Sequence, residues 1–425
     1  MAGTHSSPPV VPTAAGINTL PSAAQEQSRL PKQHEMSQDS GVETSAHHPN
    51  PGTRLLGPSY ARRNRLHLTN DIEELGRWVA LDESGWDGDQ LYGQPRSRYL
   101  SIGTIAISDD EAAPIVEEIR TATRLQAAEL KFSKAFTGPR NSPRRSVLAG
   151  MLEPGGVLHD RASVYLVDKH YFIVGKLIDL FVEEKEHKQG RDIRNNDRAR
   201  QMARGLFAEG PRALGPELFA RLLSTTVAFA AMKNHDQRVT VDDFHDVVEE
   251  AWTRSTRRRA TEALAILRTT REEAAEYLRD AHGPDAVLTQ SLEPLIPAIA
   301  AIIANWSRRL GRVNFLLDDQ RAMTDTNLDL IEDDARGRTH PEFRYLSHGV
   351  HLGELVRGSS KEHPSLQLAD LVAGAGFAVA ERHDGQVNPA GDDLYEAVVP
   401  LIDPAGLLSH DDPARFASSE ARPVG

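Results

Sequence analysis

The sequence predicts an α/β fold, a sheet flanked by helices with a large all-helical block inserted between its strands. Two observations predict it. Apolar runs with strand character lie at residues 78–81, 99–107 and 162–167, and a further one at 313–317. Between the third and fourth of these, apolar residues recur at three- and four-residue steps from about 169 to 310, which is helical period.

The elements follow in order. Residues 1–58 are rich in Pro, Ser, Thr, Gln and His and nearly free of aromatics. Such a segment buries too little surface to offset its chain entropy, so a disordered tail is expected. Arg62, Arg63 and Arg65 form a small basic cluster, read as a solvated charge run. Ordered structure is expected from about 70, with 70–168 as the first part of the sheet domain. Asp87, Gly88 and Asp89 fall in the turn between the first two strands. Residues 110–125 read as an amphipathic helix with Ile115, Ile119 and Thr123 on one stripe. In the block 169–310, residues 171–182 have helical spacing, and Thr240 with Asp243 forms a capping-box-like start for the helix carrying Phe244, Val248 and Trp252. Leu292, Leu295, Ile299, Ile302, Ile303 and Trp306 make a stripe read as core. The second part of the sheet domain spans 311–385: the strand 313–317, a helix over 327–334, a strand around 343–346 and a helix holding Asp370. Residues 386–425 form a C-terminal extension, weakly structured apart from 394–402.

Composition narrows the function. The chain has 425 residues, 39% apolar and 26% charged, enough for a sizeable core and for two or three domains. The net charge of -12 excludes a basic nucleic-acid footprint over the whole surface, but not a nuclease whose acids hold metal. With no cysteine, disulfides, thiolate metal sites and cysteine nucleophiles are excluded. The start of the chain lacks a basic segment followed by an apolar one. The longest apolar stretch, 292–306, contains Glu293, Pro294 and Pro297 and is too short for a bilayer. A soluble cytoplasmic protein with no membrane association is expected.

Asp370 stands out because it lies in an apolar, small-residue helical stretch from Ser365 to Phe377. A carboxylate there is partly dehydrated and needs a cation, a donor or a chemical task. Two readings stand: a metal ligand, or a buried Asp that caps a helix or pairs with an arginine. Gln367 lies one turn before it and Gly374 one turn after, where a missing side chain permits close packing on a sheet. Two strands also end in acids: Asp82 and Glu83, then Asp318 and Asp319. Adjacent strand residues point to opposite faces, so one of each pair faces a shared site. Asp82 and Asp318 are chosen, with Glu83 and Asp319 in supporting roles; solvated acids ending each strand are the alternative. Glu129 is a candidate third acid, and Lys131 a candidate to balance charge or touch a phosphate. Together these acids point to a divalent-metal site for phosphoryl transfer. His340, His348, His351 and His363 cluster in sequence, but no Cys joins them and they are read as solvated. No P-loop and no Gly-x-Ser-x-Gly elbow is present.

Three segments coincide in a family resemblance: Leu81-Asp82-Glu83-Ser84-Gly85, Glu129-Leu130-Lys131, and Ser365-Leu366-Gln367-Leu368-Ala369-Asp370-Leu371-Val372-Ala373-Gly374. Together they resemble the uncharacterised domain family numbered 3800, which in turn resembles the ribonuclease H-like nucleases and integrases. The resemblance covers about 75–385, with the helical block as an insertion. It implies a ribonuclease H-like mixed sheet with acids on the first strand, near the first helix, on a later strand and on the final helix. Residue by residue these are Asp82, Glu129, Asp318 and Asp370. The expected activity is two-metal hydrolysis of a phosphodiester in a nucleic acid, DNA or RNA, with Mg²⁺ or Mn²⁺ on those four acids. Lys131 and Gln367 are expected to position the phosphate or orient a ligand, and the helical block to form a lid or a protein-partner surface. Two alternatives remain open: a catalytically inactive binding or regulatory module on the same fold, and a metal-free two-carboxylate hydrolase.

Overall fold

The computed structural model describes residues 77–88, 91–93, 97–193, 197–231, 239–282, 292–319, 323–336 and 350–409. The expected tail 1–58, the Arg62–Arg65 cluster, Asp89, the strand at 343–346, His340 and His348 lie outside the described residues.

Five strands form one mixed sheet: β1 (Arg77–Ser84), β2 (Tyr99–Ile105), β3 (Ala162–Asp168), β4 (Val313–Asp318) and β5 (Leu352–Gly358), in the order β3-β2-β1-β4-β5. β2 runs antiparallel to both β1 and β3, while β4 runs parallel to β1 and β5 parallel to β4. The expected strands at 78–81, 99–107, 162–167 and 313–317 are these first four. β5 is a strand that the sequence reading did not place. Its pairing with β4 slips at Gly353, where the Asn314 side-chain oxygen accepts from Glu354 N at 2.8 Å in place of a ladder bond.

Alternation along β1 divides the molecule into two layers. Val79 and Leu81 join one core with Leu100, Ile102, Phe315 and Leu317 under the helical block, which runs from Lys169–Leu177 to Leu295–Leu310. Trp306, on that block's last helix, donates its indole N–H to Thr104 Oγ1 on β2 at 3.0 Å, tying block to sheet. The capping box expected at Thr240 is present, with Asp243 completing it. Ala80 and Leu316 face the opposite core, with the helices α1 (Asp109–Thr123) and α2 (Ser142–Leu152). The helix Pro364–His383, here αC, and Pro389–Val398 complete that layer. On α1, Ile115, Ile119 and Thr123 are buried, as their stripe predicts. α2 is a further helix that the sequence reading did not place. In the C-terminal extension, Ile402 and Leu407 bridge to β3.

αC lies directly on the sheet. A β-carbon at Gly103 on β2 would collide with the backbone of Ala373 and Ala369, so only glycine permits this approach. Gly374 plays a different part from the one expected: its missing side chain admits the ring of Phe132, not a strand. Among the described residues, no helix is long and apolar enough to cross a membrane.

Candidate metal centre

Asp82 and Asp318 arrive on neighbouring parallel strands. The register pairs Leu81 with Leu317, so the next residues, both acids, stand side by side on the αC face. Glu129 comes from the segment after α1, and Asp370 from the second turn of αC. All four expected acids therefore meet at one place, and Lys131 occupies its middle. The Lys131 ammonium stands 3.7 Å from Asp82 Oδ2, 3.5 Å from Glu129 Oε1, 3.5 Å from Asp318 Oδ2 and 3.4 Å from Asp370 Oδ1.

The surroundings fix this arrangement. Asp370 Oδ2 accepts from Phe132 N at 2.6 Å, anchoring the helical turn Phe132–Ala135 that Lys131 caps. The cation beside Asp370 is thus Lys131 and not an arginine. Gln367 spends its amide on the protein: its Oε1 accepts from Leu130 N at 3.0 Å and Arg120 Nη2 at 3.2 Å, and its Nε2 donates to Ser360 O at 2.8 Å. It therefore locks the Glu129–Lys131 segment against the loop after β5. Ser360 completes the frame, donating its hydroxyl to Glu129 Oε1 at 2.5 Å and its N–H to Asp318 Oδ1 at 3.2 Å. Sequence reasoning missed Ser360, because the strand that positions it was itself not legible.

The supporting candidates separate. Glu83 N donates to Asp82 Oδ1 at 2.8 Å, and Glu83 Oε2 is buried without a hydrogen-bond partner. Asp319 is 72% exposed and only loosely paired with Arg357, outside the cluster. His363 bonds Asp109 at 2.6 Å where αC begins, and His351 is exposed, so neither histidine joins the acids.

The electrostatics follow from crowding in a partly dry site. Burial, then the neighbouring Glu83, Asp370 and Asp318, push the Asp82 carboxyl well above the usual carboxylate range. Burial likewise raises Asp370, against the lowering pull of the Phe132 N–H and Lys131. Burial pushes Glu83 up to about 7. The Ser360 hydroxyl holds Glu129 below its ordinary value. Burial alone would lower the Lys131 ammonium, but Asp82, Asp370, Asp318 and Glu129 outweigh it and hold the group above its ordinary value.

The donor chemistry suits a hard divalent cation, since all four groups are carboxylates. Asp82 is 5% exposed, and its Oδ2 aims into the cluster with no hydrogen-bond partner. With Lys131 at the centre the acids stand apart: among the described residues, no three or more His, Cys, Asp or Glu side chains are gathered closely enough to hold an ion as they stand. The carboxylates are spread around an ammonium instead. No protein-family model, curated protein or solved structure matched this chain.

Proposed function

We propose that the protein is a soluble, cytoplasmic metal-dependent nuclease that hydrolyses phosphodiester bonds on the cluster of Asp82, Glu129, Asp318 and Asp370. One observation carries this reading: four acids, spread over nearly 290 positions of sequence on three elements and one connecting segment, converge within 3.7 Å of a single point. Structural salt bridges need no such convergence. The sheet order β3-β2-β1-β4-β5 and the placement of the acids support the ribonuclease H-like resemblance.

Asp82, Asp318, Asp370 and Glu129 would hold Mg²⁺ or Mn²⁺. When bound, such ions supply an acidified water and charge to stabilise the leaving oxygen. The chain's own residues set the geometry. β1 and β4 hold two acids side by side, Phe132 N–H orients Asp370, and Ser360 orients Glu129 and Asp318. Gln367 keeps the Glu129–Lys131 segment in register with that loop.

A second reading is a binding or regulatory module without catalysis. The observation favouring it is the ammonium at the cluster's centre, where the acids already have a counter-ion. Cleavage of a panel of single-stranded and double-stranded DNA, RNA and hybrids decides between them. The nuclease reading expects cleavage in Mg²⁺ or Mn²⁺ that chelator abolishes and that Asp82→Asn and Asp370→Asn both remove. Cleavage that survives chelator would point to a metal-free hydrolase. Binding without cleavage, unchanged in the Asn variants, would establish the module.

A further inference from the structure

The carboxylates of the cluster face Lys131, and the way they hold it differs from the other lysine ion pairs among the described residues. Lys169 is a committed structural lysine: it is 1% exposed, bonds Asp87 at 2.7 Å and gives a second bond to Ser97 O at 3.0 Å. Lys131 has no contact of that length. Its four carboxylate distances, 3.4 to 3.7 Å, all exceed the 2.7–2.9 Å of a charge-assisted hydrogen bond. The ammonium is held by the field of the acids and by long hydrogen bonds to Asp370 and Glu129, so moving it breaks no short, strong hydrogen bond.

Two further observations point the same way. Asp82 Oδ2, on a side chain 5% exposed, is aimed at this centre yet has no hydrogen-bond partner there. Lys131 itself is 21% exposed, so its side chain reaches solvent. Its backbone is independently fixed, because Phe132 N–H bonds Asp370 and Leu130 N–H bonds Gln367. The four-carbon stem can therefore swing while the loop stays in place. One ammonium against four carboxylates also leaves the cluster short of positive charge.

From this geometry we propose that the Lys131 ammonium is the built-in counter-cation of the metal-free cluster, and that a divalent ion enters by displacing it. Lys131 thereby sets the affinity of the cluster for Mg²⁺ or Mn²⁺. This rests on the metal-binding reading above. A divalent ion held by the oxygens that surround Lys131 would compete with the ammonium for the same centre, because like charges repel at that range.

The test uses the full chain and Mn²⁺ alone. By calorimetry, Lys131→Met, which keeps the stem and removes the charge, is expected to bind Mn²⁺ at least tenfold more tightly than wild type. The same variant should melt lower in chelator, since its acids lose their counter-ion. Equal or weaker Mn²⁺ binding by Lys131→Met would overturn the proposal and leave the metal site standing. Failure of both proteins to bind Mn²⁺ would overturn the metal reading and this proposal with it. A second measurement needs no variant: lysine acylation of wild type, read by mass spectrometry. Saturating Mn²⁺ should raise the labelling of Lys131 several-fold and leave Lys169 unchanged. Unchanged or slower labelling of Lys131 would also overturn the proposal.

Discussion

Replacing Asp370 with Asn removes one charge from the cluster while keeping a side-chain oxygen for the Phe132 N–H. The magnitude follows from the distances. Asp370 Oδ1 loses its attraction to Lys131 at 3.4 Å. It also loses repulsion from oxygens of Asp82, Glu129 and Asp318, each within 3.7 Å of the same nitrogen, so none is farther than about 7 Å from Asp370 Oδ1. With all four acids ionised, three repulsions at that range outweigh one attraction at half of it. For an effective dielectric constant between about 20 and 80, the net gain is about 0.5–2 kcal/mol. Burial adds to it, as it is the main cause of the raised Asp370 carboxyl. The sign follows. A carboxyl raised in the folded state binds protons more readily there than in the unfolded chain, so its penalty exists above the folded pKa and fades as pH falls through it. The gain belongs at about pH 7.5 and disappears towards about pH 4. Thermal melts in chelator should show Asp370→Asn unchanged or up to about 4 °C higher than wild type. The added stability from saturating Mg²⁺ should shrink, because a ligand to the native state has been lost. A drop of several degrees in chelator, with the Mg²⁺ response intact, would refute the reasoning and make Asp370 a structural partner of Lys131 and Phe132.

Three further outcomes follow from the packing. Gly103→Ala should cost about 3 kcal/mol or more and weaken the Mg²⁺ response, because its methyl meets the backbone of αC and displaces the helix bearing Asp370; a melting temperature close to wild type would show that αC can yield. Gln367→Leu leaves the Leu130 N–H without an acceptor and should cost about 1–3 kcal/mol, with faster amide exchange at Leu130 as its local signature. His363 is held above its ordinary value chiefly by its hydrogen bond to Asp109, so its contribution is full below about pH 6.5 and is lost as pH rises through the folded value. In melts, His363→Gln should therefore trail wild type by about 1–2 kcal/mol near pH 6 and by less at pH 9, and an equal deficit at both would contradict a charged pair.

What the sequence determined by itself was local periodicity and its consequences. Apolar runs placed β1 to β4, three- and four-residue steps placed the helical block, and Asp370 announced itself as a charge in an apolar helix. Alternation correctly put Asp82 and Asp318 on one face and left Asp319 pointing outward. These are properties of a few neighbouring residues, so a linear string carries them. β5 escaped because Gly353 and the side-chain bond from Asn314 break its pattern at an edge of the sheet. Ser360 escaped with it. The partners of Gly374 and Gln367, and the position of Lys131 amid four carboxylates, were decided only by tertiary structure. In the sequence Glu129 and Lys131 are candidates only in company with the other acids; the fold is what brings β1, β4 and αC around them. The physical reason is that electrostatic energy depends on distance in space: Asp370 and Asp318 raise the Asp82 carboxyl only because the sheet and αC carry all three to the same ammonium.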